Sequence, residues 1–441
     1  MKPVKWGVIS TANIGLEKVL PGMMKSADIE IVAISSRKLK SAQAAAAKLG
    51  ISRAYGSYEE MLADPEIEAV YNPLPNHLHV PLTLAAAKAG KHVLCEKPIA
   101  ITAKEAARLR KIPKGIHVEE AFMVRHSLQW LAAKAHVKKG DIGDLRAMQV
   151  YFTYFNRDPK NVRNMANIGG GGLYDIGCYP ITTSRFMFGA EPKRVIATFD
   201  WDPKFKTDRM AGGLADFGDG RHLTFLISTQ LAPWQRAQIG GTKGRIEVEI
   251  PFNAPPDKPN RYFVQGMQMN EGTWHELPVS DQYQLQAEAF GRVIRKQEKP
   301  VWGVEDAIQN MKIIDAFFRS EKAVNGRSLK QERYASSSLS RAALARKADL
   351  VRPRREASAS MASSRPASKV RLARTVRPAS STTGTMTAAS FRFASISPAF
   401  RICTMLRAFG GASPLVSRWA IHSRAADMAS AMAASGVAPP P

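Results

Sequence analysis

GVISTANIG, residues 7–15, lies between an apolar start and a run with helical spacing, so it predicts the turn from a strand into a helix. A dinucleotide-binding turn at such a place has the pattern G-x-G-x-x-G. Its first glycine makes a tight turn, the second lets the pyrophosphate approach, and the third allows close helix–strand packing. Here the three positions are Ser10, Ala12 and Gly15, of which Ser10 suits the turn if its φ is negative. Taken alone, the stretch fits a nucleotide loop and a plain strand–turn–helix equally well.

The segments around this stretch alternate short apolar runs with helical patterns as far as residue 120. The apolar runs predict strands at 6–10, 29–35, 54–56, 68–74 and 92–98. Helical spacing between them predicts helices at 14–26, 40–50, 57–64 and 79–91. Strands that alternate with helices in this order predict an α/β fold with a parallel, doubly wound sheet.

From about residue 121 the pattern changes to longer strands joined mostly without helices. One helix is predicted to end at Gly140, and another has apolar residues at helical spacing over 305–320. Between these helices the sequence predicts strands at 146–155, 193–201, 212–218, 222–230 and 244–250. This order predicts an α/β domain with a large, mainly antiparallel open sheet.

Residues 331–441 have no sustained periodicity and consist largely of Ser, Ala, Arg and Pro. They contain 17 Lys and Arg against 4 Asp and Glu, which is about half of the chain's net charge of +25. Such a composition cannot bury enough apolar surface to offset the entropy of ordering. Two interpretations stay open: the tail is a disordered basic extension, or it is the product of coding sequence read in the wrong frame. Neither gives the tail catalytic chemistry.

The bulk composition favours a soluble, cytoplasmic protein. The chain has 441 residues, of which 45% are hydrophobic, enough for a sizeable core in two or three domains. Its three cysteines have no C-x-x-C spacing, which favours a reducing compartment and indicates no structural zinc. The start lacks the apolar run of a signal peptide, and no stretch of about 18 apolar residues predicts a membrane span.

The end of the second predicted strand favours NADP over NAD if a dinucleotide binds. A site that prefers NAD places Asp or Glu about 20 residues after the glycines, on the ribose 2′-hydroxyl. This chain has Ser36, Arg37 and Lys38 there, and no acid. The two positive charges suit a 2′-phosphate. A solvated basic turn would have the same composition.

Two further motifs carry candidate chemistry. The predicted strand HVLCEKP ends near Lys97, and the carboxyl ends of parallel strands are where such folds bind ligands. In GGGGLYDIGCYP, residues 169–180, four glycines precede Asp175 and Tyr179, which share one face if the segment is helical. Taken separately, the lysine fits a surface charge, and the second motif fits a glycine-rich loop before an ordinary helix.

Together these motifs resemble the glucose–fructose oxidoreductase / inositol dehydrogenase / MocA family. The resemblance runs from about residue 4 to 325 and rests on WGVISTANIG, SSRK, AYGSYEEML, YNPLPNHLH, AGKHVLCEKP, EEAFMVR and GGGGLYDIGCYPI. Many members have Asp-x-x-x-His where this chain has Asp175 and, four residues later, Tyr179. The tyrosine is similar to the branch of trans-dihydrodiol dehydrogenase and NADP-dependent D-xylose dehydrogenase.

The resemblance implies an organisation in three parts: an NADP-binding Rossmann domain over 1–120, an α/β domain for substrate binding and dimerisation over 121–330, and a low-complexity basic tail over 331–441. It implies a homodimer formed through the sheet of the second domain, and a cis peptide bond before Pro98. The implied cofactor contacts are Ser10, Thr11, Ala12, Asn13, Ile14, Ser36, Arg37, Leu74, Asn76, His79, Glu96 and Lys97.

The family's chemistry, hydride transfer from a carbinol carbon to nicotinamide, leaves a proton to be removed. A tyrosine with a pKa of about 10 is a poor base at neutral pH, but a nearby lysine ammonium and the positively charged nicotinamide would favour its phenolate. Tyr179 is therefore interpreted as the acid/base, Lys97 as its electrostatic partner and a ligand of the substrate hydroxyl, and Asp175 as the residue that orients both. His77 and His79 lack a third ligand candidate, so no metal site is predicted.

These inferences predict an NADP-dependent oxidoreductase that acts on the CH–OH group of a sugar and oxidises an aldose such as D-xylose at C1 to the lactone. The alternatives among enzymes are a trans-dihydrodiol dehydrogenase and a glucose–fructose oxidoreductase-like enzyme that keeps its NADP bound. The intact Lys97, Asp175 and Tyr179 oppose a non-catalytic NADP-binding regulator. The shortage of aromatic residues in the basic tail opposes a nucleic-acid binder. The expected partner is a small sugar or diol.

Overall fold

The computed structural model of the chain describes residues 2–323, so the tail predicted for 331–441 lies outside the described residues. Six strands form a first sheet: β1 (Val4–Ile9), β2 (Ile29–Ser35), β3 (Arg53–Tyr55), β4 (Ala69–Asn72), β5 (His92–Cys95) and β6 (Val118–Glu120). Their order is β3-β2-β1-β4-β5-β6, and each pair of neighbours is parallel. The predicted doubly wound α/β sheet is confirmed. The three-residue β6 was not among the predicted strands.

Helices connect the strands of this sheet: a π-helical turn (Gly15–Val19) that continues into α1 (Leu20–Met23), then α2 (Leu39–Leu49), α3 (Tyr58–Ala63), α4 (His79–Lys88) and α5 (Ala103–Ala106). Local sequence signals set several of their ends. The side chains of Ser57 and Thr102 cap α3 and α5 by accepting hydrogen bonds from backbone amides in the first turn. Gly50 ends α2 with a φ of 70°, a left-handed conformation that suits glycine.

Eight strands form a second sheet: β7 (Leu145–Phe155), β8 (Arg194–Trp201), β9 (Asp208–Gly218), β10 (Arg221–Ser228), β11 (Gln230–Gly241), β12 (Arg245–Val248), β13 (Arg261–Gln265) and β14 (Gly272–Glu276). Their order is β14-β13-β12-β11-β7-β10-β9-β8. β7 and β10 pair in parallel, whereas the other neighbours pair antiparallel. This mixed sheet confirms the prediction of a large, mainly antiparallel sheet.

Alternation along these strands gives the second sheet one buried and one open face. Phe152 of β7 and Ile227 of β10 point into the core, which is covered by the helices α6 (Leu128–Lys139), α7 (Cys178–Phe188) and α9 (Val304–Ala323). The opposite face presents half-exposed apolar side chains, among them Ile196 on β8, Leu214 on β9 and Trp234 on β11.

The helix α8 (Gln282–Ile294) returns the chain to the first sheet. Its Phe290 packs on Trp6 of β1, with ring centroids 5.7 Å apart, and both side chains are almost fully buried. Asp281 caps α8 by accepting from the backbone amide of Tyr283 at 2.9 Å. The side chain of Tyr283 therefore lies beside the carboxyl ends of the first sheet's strands. Within residues 2–323, no helix is both long and apolar enough to cross a bilayer.

Candidate active site

A cavity of about 640 Å³ lies at the carboxyl ends of the first sheet's strands and is closed on the other side by the segment between β7 and α7. Of the residues expected at the site, it brings together Ala12, Asn13, Ile14, Leu74, Asn76, His79, Glu96, Lys97, Asp175 and Tyr179. Ser10, Thr11, Ser36 and Arg37 do not line this cavity. The expected catalytic residues therefore share one cavity with the residues that begin the first helix.

The turn after β1 differs from the expectation at Ser10, whose φ is +82° rather than negative. Its backbone amide donates to the carbonyl of Ser35 at 3.0 Å, which holds the turn against β2. The left-handed conformation costs a residue with a side chain about 1–2 kcal/mol. The chain thus keeps the geometry of the first fingerprint glycine without the glycine, and the Oγ of Ser10 is buried without a hydrogen-bond partner among the described residues.

Gly15 does not have the packing role expected of the third fingerprint glycine. A Cβ added there would lie 3.5 Å from Cε1 of Tyr71 and 3.7 Å from Cγ of Pro73, which are ordinary van der Waals distances. Two helical residues, Asn13 and Ile14, precede the π-helical turn, so the helix begins at Asn13. Its first backbone amides have no acceptor within the helix. Because Ala12, Asn13 and Ile14 line the cavity, this helix end offers amide donors to an anion.

The basic turn after β2 is exposed. The amide of Ser36 donates to the carbonyl of Tyr55 at 3.1 Å. The guanidinium of Arg37 forms no ion pair with another described residue. Burial raises the pKa of Tyr58, and the nearby charge of Arg37 opposes that shift. The Arg37 side chain is thus exposed and close enough to Tyr58 for its charge to act on that phenol.

Two of the expected cofactor residues have partners within the protein. His79 is fully buried, with Nδ1 2.7 Å from the carbonyl of Pro98 and Nε2 2.5 Å from the carbonyl of Leu74. Burial lowers its pKa to about 4, so the imidazole is neutral near pH 7. The Nδ2 of Asn76 donates to the carbonyl of Gly169 at 2.7 Å. These side chains connect the loops that form the cavity wall.

Lys97 is held at the base of the cavity. The peptide bond to Pro98 is cis, as the resemblance implied. The Lys97 amide donates to one carboxylate oxygen of Glu96, and the hydroxyl of Tyr71 donates to the other at 2.7 Å. The Lys97 ammonium donates to the backbone carbonyl of Asp175 at 2.6 Å and lies 3.4 Å from its Oδ1. Burial is the largest single influence and favours the neutral amine, but Asp175, Cys178 and Glu96 together outweigh it and raise the pKa of Lys97.

Asp175 also binds two residues that the sequence did not single out. Its Oδ2 accepts from the hydroxyl of Tyr154 at 2.6 Å and from Nε of Arg163 at 2.9 Å. Burial alone would raise the pKa of this carboxyl, but the charges of Arg163 and Lys97 hold it well below its usual range. Alternation along β7 could have placed Tyr154 on the buried face, whereas no signal marked Arg163 in its loop.

The expectation that Lys97 lowers the pKa of Tyr179 is not met. The ammonium lies over the face of the tyrosine ring, 4.8 Å from its centroid, rather than at the hydroxyl. The hydroxyl itself is 3.7 Å from Sδ of Met123. Burial raises the pKa of Tyr179 well above its ordinary value, and Tyr283 is the largest electrostatic contributor in the same direction. In this state Tyr179 carries its proton.

Comparison with known proteins identifies the family. Residues 4–119 match "Oxidoreductase family, NAD-binding Rossmann fold", and residues 130–247 match "GFO/IDH/MocA C-terminal domain".

Two curated relatives span most of their own length. An uncharacterised oxidoreductase of Rhizobium meliloti is 45% identical over 330 residues, which are 74% of this chain and 99% of the relative. D-xylose 1-dehydrogenase (NADP(+)) 2 of Haloferax volcanii is 33% identical over 321 residues, or 71% of this chain and 96% of the relative.

Among solved structures, a 3-ketoreductase from Actinomadura kijaniata in complex with NADP and TDP-benzene has a TM-score of 0.68 and 27% identity, covering 72% of this chain and 98% of that one. The chain therefore belongs to the glucose–fructose oxidoreductase / inositol dehydrogenase / MocA family of oxidoreductases, whose first domain is an NAD(P)-binding Rossmann fold.

Proposed function

We propose that the protein is an NADP-dependent oxidoreductase that transfers a hydride between NADP and the CH–OH group of a sugar, such as C1 of an aldose like D-xylose. One observation carries the proposal: a single cavity joins the free amides after β1 to Lys97, Asp175 and Tyr179. The D-xylose dehydrogenase relative supports an aldose, and the ketoreductase solved in complex with NADP supports that cofactor.

The residues on the first sheet fit NADP. The amides at Asn13 and Ile14 provide donors for a pyrophosphate. Arg37, which forms no ion pair within residues 2–323, provides a planar cation for the 2′-phosphate. When bound, NADP supplies the oxidising or reducing power of the reaction. The chain's own residues bind the substrate and handle the proton.

In this proposal Tyr179 is the acid/base that exchanges a proton with the substrate oxygen. Because burial raises its pKa, the tyrosine is protonated and carries the proton that reduction of a carbonyl substrate requires. In the oxidative direction Tyr179 must be deprotonated before it can accept the proton of the substrate hydroxyl. Additional positive charge in the cavity would favour that deprotonated form. Lys97 keeps its charge and binds the substrate oxygen, and the Asp175 carboxylate fixes the position of Lys97.

A substrate panel tests this function. Purified protein is mixed with NADP or NADPH, and absorbance of the reduced cofactor is followed with aldoses, polyols, trans-dihydrodiols and ketosugars. Turnover with an aldose supports the proposal. Turnover restricted to dihydrodiols would assign the alternative named from the sequence. No turnover with any member of the panel would contradict an oxidoreductase of sugars.

Arg37→Asp tests the cofactor preference. We expect NADP binding to weaken much more than NAD binding, because the change removes the cation and places a carboxylate beside the 2′-phosphate. Isothermal titration with both cofactors measures this difference. Lys38→Ala, which leaves Arg37 in place, is the matched control. Equal losses for NADP and NAD would show that Arg37 does not contact the 2′-phosphate.

We further propose that residues 1–120 bind the cofactor, that residues 121–330 bind the substrate, and that the protein acts in the cytoplasm as a homodimer. The buried thiols of Cys95 and Cys178 are free, which suits a reducing compartment. The open face of the second sheet, with Leu214 and Trp234, is the surface proposed for the dimer. Sedimentation at the mass of a single chain would contradict it.

A further inference from the structure

The helical segment that carries Asp175 and Tyr179 begins without a cap from its own sequence. It starts as a π-helical turn (Leu173–Gly177) and continues into α7. The residues before it are the four glycines 169–172, which have no side chain, and Gly172 at the N-cap position makes no side-chain hydrogen bond. Orphan amides at a helix start need a partner when they are buried.

Asp208, at the start of β9, supplies that partner. Its Oδ2 accepts from the backbone amide of Leu173 at 2.6 Å, and the amide of Gly172 also donates to the carboxylate. Asp208 is only 1% exposed. It therefore acts as an N-cap contributed by a strand 35 residues further along the chain.

Two of the four glycines make room for this carboxylate. Gly171 has a φ of +130°, and a Cβ added there would collide with Oδ1 of Asp208. A Cβ on Gly172 would lie 3.1 Å from the backbone oxygen of Asp208 and 2.8 Å from Cδ1 of Ile227. The glycines thus allow close contact between the helix start and β9.

Two hydrogen bonds connect this helix start to Lys97. The amide of Asp175 donates to the carbonyl of Gly171 at 3.0 Å, and the carbonyl of Asp175 accepts from the Lys97 ammonium at 2.6 Å. A shift in the backbone of this first turn would therefore move both the acceptor of Lys97 and the ring of Tyr179. No ion pair joins Asp208 to a basic side chain in the described part of the chain, so the backbone amides are its stabilising contacts.

We propose that Asp208 is a positioning residue for the oxidoreductase reaction, which fixes the first turn of the Asp175–Tyr179 helix and thereby places both side chains against Lys97. This inference rests on the proposed function for its kinetic consequence. Its structural part, the ordering of the turn by Asp208, can be measured without any substrate.

The test compares Asp208→Ala, Asp208→Asn and the control Asp202→Ala in the full-length protein. Asp202 is equally buried and also caps a turn next to β9, through the amides of Lys204 and Phe205, but it does not contact the catalytic helix. Kinetics use whichever substrate of the panel is turned over, and hydrogen exchange is measured for peptides covering residues 170–178.

We expect Asp208→Ala to lower kcat by about 10–100-fold, as for a small misplacement of catalytic groups, with KM changed by less than about threefold. Exchange over 170–178 will accelerate. Asp208→Asn, whose amide oxygen can accept from Leu173, will recover most of kcat and protection. Asp202→Ala will lower the melting temperature but leave kcat and the exchange of 170–178 unchanged.

Wild-type kcat and exchange in Asp208→Ala, or equal losses of kcat in Asp208→Ala and Asp202→Ala, would overturn the positioning role. If Asp208→Ala does not fold, Asp208→Asn decides: recovery of both readouts supports the role, and loss of kcat with full protection overturns it. If the wild-type protein turns over no substrate, the proposed function fails, while hydrogen exchange still decides whether Asp208 orders the turn.

Discussion

Asp175 is the residue on which the charged side chains of the cavity converge. Its carboxylate binds Tyr154 and Arg163, and its carbonyl and Oδ1 hold the Lys97 ammonium. The sequence motif placed Asp175 near Tyr179 but gave no information about Arg163, because that residue comes from an irregular loop with no periodic pattern. A buried charge with several hydrogen bonds is expensive to disrupt, since removing one partner leaves the others unpaired.

Replacing Tyr179 by Phe tests the proton donor. The change keeps the ring that packs against Phe122 and Phe152, so cofactor and substrate binding should persist. We expect kcat to fall by about 10²–10⁴-fold, the usual value of general acid–base catalysis, with little change in NADP affinity. Steady-state kinetics and cofactor titration measure the two effects. Retention of most of the wild-type rate would pass the role to Lys97 or Asp175.

The titration of Asp208 predicts a pH dependence of stability. Burial raises its pKa to about 7, and the nearby charge of Glu321 acts in the same direction. The Asp208 charge in turn contributes to the raised pKa of the phenols of Tyr154 and Tyr174. An unfolded aspartate has a pKa of about 3.9, so the folded chain binds the extra proton between about pH 4 and 7. This contribution to stability is complete below about pH 4 and is lost as the pH rises to about 7.

Thermal unfolding of wild type and Asp208→Asn between pH 4 and 8 measures this contribution. The asparagine cannot ionise, so wild type should lose more stability over the window, with a difference that grows by at most about 1.4 kcal/mol per pH unit. Parallel profiles for the two proteins would mean that Asp208 does not titrate in this range.

At the scale of the element, the turn between β1 and the first helix combines an expected position with an unexpected conformation. The pattern of apolar residues correctly predicted a strand, a turn and a helix. It could not predict the φ of Ser10, because serine usually avoids the left-handed region. Here the hydrogen bond to β2 holds the backbone in that conformation.

Ser10→Gly should therefore stabilise the protein. Glycine adopts a φ of +82° without strain, and the relief should exceed its larger unfolded-state entropy by up to about 1 kcal/mol. Chemical denaturation measures the change. Ala12→Gly is the control: Ala12 has no positive φ, so the added entropy should destabilise this variant. Destabilisation of Ser10→Gly would show that its side chain contributes more than the strain it causes.

The two sheets differ in how well their strands could be predicted. The parallel strands are buried on both faces and appear as short continuous apolar runs, of which β2 was predicted with its observed bounds. β11 was missed because it contains Pro233 and several polar residues, which argue against a strand. The structure accommodates the proline at a register shift between Gln230 and Trp234. The strands β13 and β14 and the helix α8 were also missed.

At the scale of the whole molecule, the stretch matched by a curated relative, 330 residues, is close in length to the described stretch 2–323. The relative from Rhizobium meliloti is covered over 99% of its length by 74% of this chain. The tail of 331–441 has no apolar periodicity in its sequence. On these grounds we propose that residues 331–441 take no part in catalysis.

A chain truncated after Lys330 should therefore keep its fold and activity. The melting temperature should change by no more than a few degrees, and kcat should stay within about twofold, because no predicted core segment is lost. Differential scanning calorimetry and the substrate assay measure both. A second truncation after Ile294, which removes α9, is the control and should fail to fold. Insoluble or inactive protein after the first truncation would show that the tail supports the core.

The return of α8 to the first sheet limits how this protein can be recombined with its relatives. Phe290 covers Trp6, and Lys25 pairs with Asp281 at 2.8 Å, so the sheet of residues 4–120 is completed by a segment that comes after the whole second sheet. A chimaera that joins two parents at residue 120 would place one parent's α8 on the other parent's β1. Exchange of substrate preference between parents should instead use two crossovers, near 121 and 280, so that α8 stays with the sheet it covers.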